Sequence, residues 1–164
     1  MKVKNITTLA LVLLLFIACN TTAKNELPVQ EAKLTENEVS PIIDKWLKLW
    51  ETYDVNMLDE IFLQTEELTY FSSEKEGLMK GYKELKPHHI GFGFTEGGKK
   101  PEKALWLEDL ETRIYDGSAM VGGIWYFGDR SLPKDSISKG PVTFVLIKDE
   151  NGATKIAHTH FANY

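Results

Sequence analysis

Pro141-Val-Thr-Phe-Val-Leu-Ile147, Lys148-Asp-Glu-Asn-Gly152 and Thr154-Lys-Ile-Ala-His-Thr-His-Phe161 are the three pieces whose reading decides the fold. The first is a run of β-branched and aromatic residues, which suits a pleated, half-buried surface. The second is a turn, in which Asn151 and Gly152 are the two residues that take positive φ at least cost. The third is a return strand that ends on His158 and His160. Side chains alternate along a strand, so a regular strand points both imidazoles to one face.

Working back from this hairpin, Ala104 to Tyr115 is predicted as a long strand. Asp116-Gly117 is its turn, and Ser118 to Phe127 is its partner. Gly122-Gly123 inside that partner points to a bulge or sharp bend. Gly128 to Lys139 is a polar connection.

The first half reads differently. Val39, Ile42, Ile43, Trp46, Leu47 and Trp50 recur at helical spacing and form one apolar stripe. Thr35-x-x-Glu38 matches a capping box, and Ser40-Pro41 is a second start signal, so the helix begins between Glu36 and Pro41. Asp54 caps a short second helix through Met57, Leu58, Ile61 and Phe62. Leu68 to Ser72 is a short strand. Leu78 to Leu85 is a short helix stopped by Pro87. The glycine-rich stretch from Gly91 to Lys100 reads as a mobile connection. Together these elements predict an α+β fold: a cone-shaped, strongly curved antiparallel sheet with N-terminal helices packed on its concave side.

The chain of 164 residues suits one globular domain, and its formal net charge of −5 with no basic run argues against a nucleic-acid partner. Lys2 and Lys4 precede the apolar segment Leu9 to Ile17, which is too short for a comfortable membrane span. Cys19, the single cysteine, follows at once. Residues 1–18 read as a signal peptide, 19–35 as a polar tether and 36–164 as the folded domain. Phe16-Ile-Ala-Cys19 resembles a bacterial lipobox, with Phe16 where Leu is usual. That resemblance implies lipidation at Cys19, export, and membrane attachment through the lipid anchor, as in lipoproteins of a bacterial cell envelope.

The order of elements resembles the nuclear-transport-factor-2-like fold. Trp46-x-x-x-Trp50-x-x-x-Asp54 is similar to that family's opening helix. The Asp116-Gly117 turn leading into Ala119-x-Val121 is similar to its central hairpin. Thr154-Lys-Ile-Ala-His-Thr-His160 resembles the closing strand of SnoaL-like domains and of the calcium/calmodulin-dependent kinase association domain, with Thr154 where an aromatic is usual. The match covers about residues 36–164. It implies a cone with an interior, and a sheet face that packs on a second subunit as a homodimer.

His158 and His160 are the candidate catalytic residues, since neutral imidazole serves as base or acid near neutral pH. By the resemblance, Tyr53, Tyr70 or Tyr126 would donate to an oxyanion beside them. Two strand histidines need a third ligand to hold a metal, and no such set is legible, so neither a metal nor a cofactor is expected. Trp46, Trp50, Tyr53, Phe71, Trp106 and Trp125 are the candidate pocket-lining residues. An aromatic cone suits a small apolar or amphipathic ligand. Ligand binding without a defined reaction is the leading expectation. The alternatives are a proton-transfer enzyme using a histidine of the last strand, and a structural dimerisation module.

Overall fold

The computed structural model describes residues 33–164. Residues 1–18, read above as a signal peptide, Cys19 and nearly all of the stretch read as a tether lie outside the described residues.

Helix α1 spans Glu36–Thr52. The backbone N–H of Thr35 donates to Glu38 Oε2 at 3.0 Å, and its hydroxyl donates to the same oxygen at 2.8 Å. The capping-box signal therefore prevails over Ser40-Pro41, and Pro41 lies inside the helix. Its missing N–H leaves only the carbonyl of Asn37 unpaired, and Asn37 is exposed to water. Val39, Ile42, Ile43, Trp46, Leu49 and Trp50 form the buried stripe. Asp54 caps the next turn, accepting from the Asn56 N–H at 3.1 Å, and α2 follows at Leu58–Ile61.

Strand β1 is Thr69–Phe71 and β2 is Met79–Lys80. The helix expected at Leu78–Leu85 is instead α3, Tyr82–Phe92, and it runs through Pro87. The carbonyl that Pro87 leaves unpaired is that of Lys83, a residue exposed to solvent. Leu85 and His89, one turn apart on the buried face, anchor the helix on either side of the proline.

The remaining strands are β3 (Ala104–Tyr115), β4 (Ser118–Gly128), β5 (Ser138–Lys148) and β6 (Thr154–Phe161). They make a curved six-stranded sheet of order β2-β1-β6-β5-β4-β3. Neighbours are antiparallel except β1 and β6, which run parallel. The helices pack on the concave face, where Trp46 is fully buried with its ring centroid 5.0 Å from Phe144 and 5.7 Å from Phe161. Burial of the Phe144 side chain alone contributes about 1.5–3 kcal/mol.

Two bulges shape the sheet. One lies on β3 between Glu108 and Glu111, with Asp109 at φ 53°. The glycines opposite it accommodate the bulge rather than form it: a Cβ on Gly123 would meet Leu110 Cδ2 at 2.6 Å and the Glu108 carbonyl at 2.9 Å. The other lies on β6, where Leu146 pairs with Ile156 but Val145 pairs with His158. In the closing turn only Gly152 takes positive φ, at 79°. Asn151 does not need it, because the Asp149 carboxylate accepts from the N–H groups of Asn151 and Ala153, both at 2.9 Å.

The glycine-rich stretch after α3 is tied down rather than loose. The Val55 N–H donates to the Thr95 carbonyl at 3.0 Å, the Thr95 N–H to the Tyr53 carbonyl at 2.9 Å, and the Lys99 N–H to the Thr52 carbonyl at 2.7 Å. Among the described residues no helix is long and apolar enough to cross a membrane.

Candidate functional site

A cavity of about 190 Å³ opens between α1, α3 and the concave face of the sheet. Its wall is aromatic: Trp50 from α1, Tyr70 from β1, Phe92 from α3, Trp125 and Phe127 from β4, and Phe161 from β6. Ser72, Ser73 and Glu74, which follow β1, contribute to its polar side together with Ser138 and Asn163. Trp125 is fixed in place because its indole N–H donates to the Ala162 carbonyl at 2.9 Å. Asn163 Nδ2 donates to the Ser73 carbonyl at 3.0 Å, which ties the C-terminal residues to the loop after β1.

Two histidines line this cavity, and they are His88 and His89 of α3. His89 is buried, with Nδ1 3.0 Å from the Leu85 carbonyl oxygen. A carbonyl only accepts, so Nδ1 carries the hydrogen. Burial lowers the His89 pKa to about 4, against a smaller opposing effect of the Leu85 hydrogen bond. The ring is therefore neutral at pH 7, and Nε2 is an unprotonated acceptor. Burial, with the Lys75 charge second, also lowers the pKa of His88.

Glu74 is exposed as a residue, yet lost hydration raises its pKa. Its charge reaches the tyrosines behind it. Burial and then Glu74 push Tyr53 up to about 12, and the same two causes raise Tyr70 further.

His158 and His160 do share a face, as their spacing predicts, but it is the face away from the cavity. The β6 bulge is the reason. Thr154 and Ile156 are buried on the inner face, the bulge shifts the alternation by one, and Thr159 and Phe161 then point inward. His158 Nδ1 meets the Thr69 hydroxyl at 2.8 Å, and exposed His160 lies 5.2 Å from the Phe71 ring. Burial, then the charge of His160, lowers the pKa of His158. Neither ring lines the cavity.

The predicted aromatic lining divides three ways. Trp50 and Trp125 line the cavity. Trp46 and Tyr53 are buried behind it, Tyr53 stacked on Phe94 at 4.2 Å. Phe71 and Trp106 belong to the opposite face, where Trp106 stacks on Tyr126 at 5.3 Å under the guanidinium of Arg130. Of the three candidate oxyanion donors only Tyr70 lines the cavity. Glu74, His88 and His89 were not legible as site residues, because the loop after β1 brings Glu74 there and the continuation of α3 through Pro87 brings the two histidines. Among the described residues no group of three or more His, Cys, Asp or Glu side chains is placed to hold a metal ion.

No protein-family model matches the sequence, and no curated protein is significantly similar to it. Solved structures do match. A nuclear transport factor 2-like superfamily protein from Salmonella enterica is 18% identical, with a TM-score of 0.62 over 77% of this chain and 89% of that one. A candidate ketosteroid isomerase from Parabacteroides distasonis is 17% identical, with a TM-score of 0.61 over 82% and 94%. The CaMKII hub of S. rosetta is 20% identical, with a TM-score of 0.59 over 78% and 95%. The chain therefore has the nuclear-transport-factor-2-like fold, which on its own does not assign an activity.

Proposed function

We propose that this protein is a lipid-anchored, exported domain that binds a small apolar or amphipathic molecule in its cone. The observation that carries the reading is the aromatic cavity between α1, α3 and the sheet, with polar groups along one side. The Cys19 anchor rests on the lipobox-like sequence alone. Thermal melting of the full-length chain against a library of small apolar compounds tests the binding. Saturating ligand at a hundred times its Kd stabilises by about 2.7 kcal/mol, which is a clear rise in Tm. A Trp125→Ala variant should lose that rise, and a library without any stabilising compound would overturn the reading. Substituting Cys19→Ser, followed by fractionation of cells, tests the anchor: the protein should leave the membrane fraction.

A proton-transfer enzyme is the second reading, and its site moves from His158 and His160 to Glu74 and Tyr70. A carboxylate of raised pKa can take a proton while a tyrosine hydroxyl in the same cavity donates to the developing oxyanion. Solvent-deuterium incorporation into ketone-bearing probes would detect it, and Glu74→Gln should abolish it. Homodimer formation through the outer sheet face is also proposed. Exposed Phe71 supports it, as does the likeness to the CaMKII hub. Sedimentation equilibrium at high micromolar concentration decides it.

A further inference from the structure

We infer that the ligand of this cavity is a small organic cation, a protonated alkyl- or arylalkylamine, with its ammonium group between the Glu74 carboxylate and the aromatic wall. The inference rests on the binding reading above and names the chemical class of its ligand.

Charge decides the class. Among the described residues no lysine or arginine lines the cavity, and its two histidines are held toward the neutral form. Glu74 is therefore, among the described residues, the one lining group with a formal charge at neutral pH. Among the described residues its carboxylate has no salt-bridge partner. An anionic ligand would meet this carboxylate with no cation among the described lining groups to offset it. A neutral apolar ligand would remove more of its water and return nothing. An ammonium group satisfies it with a charge-assisted hydrogen bond.

The walls point the same way. Trp50, Tyr70, Phe92, Trp125, Phe127 and Phe161 surround the space with π systems, whose negative faces attract cations. Rings at this end of the molecule already draw ammonium groups: Lys99 Nζ lies 5.9 Å from the Tyr53 centroid and Lys103 Nζ 5.7 Å from that of Phe127. Both lysines and Lys75 are exposed, so water and salt weaken their repulsion of an incoming cation. His89 Nε2, bare because Nδ1 carries the hydrogen, is an acceptor that suits an N–H donor. The volume of about 190 Å³ limits the ligand to a compact amine, since drug-sized pockets begin near 300 Å³.

The test pairs 2-phenylethylammonium with 2-phenylethanol, a neutral molecule of the same shape. Binding to the full-length chain is followed through the indole N–H resonances of Trp50 and Trp125. The ammonium compound should bind about tenfold more tightly than the alcohol. Glu74→Gln, checked for folding by its melting curve, should erase that preference and leave the alcohol unaffected. Equal or tighter binding of the alcohol to the wild-type chain overturns the cation assignment while the binding reading stands. So does a preference that survives in Glu74→Gln. If neither compound moves the indole signals, the cation assignment falls, and the library experiment separately decides whether the cavity binds other small molecules.

Discussion

The imidazole Nδ1 of His89 donates to the carbonyl oxygen of Leu85 at 3.0 Å, one helical turn earlier, inside a ring of aromatic side chains. Trp50, Phe62, Tyr70 and Phe94 all have ring centroids within 6.3 Å of it. The cavity wall is thus built on a histidine that the fold keeps uncharged.

That arrangement makes stability depend on pH in a stated direction. The His89 pKa falls from 6.5 in the unfolded chain to about 4 in the folded one. Above pH 6.5 both states are neutral and the stability is fully present. As pH falls from 6.5 toward 4, the unfolded state takes up a proton that the folded state refuses, and roughly 3 kcal/mol is lost. Urea unfolding of the wild type and of His89→Phe at pH 7 and pH 4.5 isolates this part from the carboxylates. The difference between the two proteins should shift by 2 kcal/mol or so in favour of the variant at low pH.

Gly140 faces the C-terminal residues at a distance no side chain fits. A Cβ there would overlap the carbonyl of Ala162, the acceptor of the Trp125 indole. Gly140→Ala should cost about 3 kcal/mol or more by chemical denaturation and shift the Trp125 fluorescence. Gly152→Ala meets open space, but its φ of 79° strains alanine, so the expected cost is nearer 1 kcal/mol.

Asp54 joins two elements through one carboxylate oxygen. That oxygen accepts from the Asn56 N–H at 3.1 Å and from the Gly97 N–H at 3.2 Å. Asp54→Ala should destabilise the chain by about 1 kcal/mol. Hydrogen exchange should speed up at Gly97 and Lys99 before it does at the strands of the sheet.

His158 and His160 give a contrasting expectation. Because both point away from the cavity, His160→Ala and His158→Ala should leave small-molecule binding at Trp50 and Trp125 unchanged. His158→Ala loses its contact with the Thr69 hydroxyl and should cost about 1 kcal/mol of stability. Parallel calorimetric titration and thermal melting of the two variants would show it. A loss of binding in His160→Ala would contradict the outward placement.

Local chemistry made most of the elements legible from the sequence. The alternating strands from Ala104 onward, the Asp116-Gly117 turn, the apolar stripe of α1 and the Asp54 cap are each set by residues close in the chain. Those signals were enough for the curved sheet and for the helices on its concave side. They failed where a distant contact overrode them. Pro87 read as a stop, but Leu85 and His89, buried on either side of it, carry α3 past it. The stretch after α3 read as loose, but Thr52, Tyr53 and Val55 bind its backbone. Gly122-Gly123 read as a bulge or sharp bend in β4, whereas the bulge is on β3 and the glycines make room for it.

The candidate site shows the same division. That His158 and His160 share one face followed from the two-residue period of a strand. Which face that is was decided by one extra residue in β6, whose effect on the alternation depends on the pairing of β6 with β5. The cavity, with its neutral His89 and its Glu74 carboxylate, exists only because α1, α3, the loop after β1 and the sheet converge in space. Periodicity within one element determines which side chains stand together, and packing between elements determines what they surround.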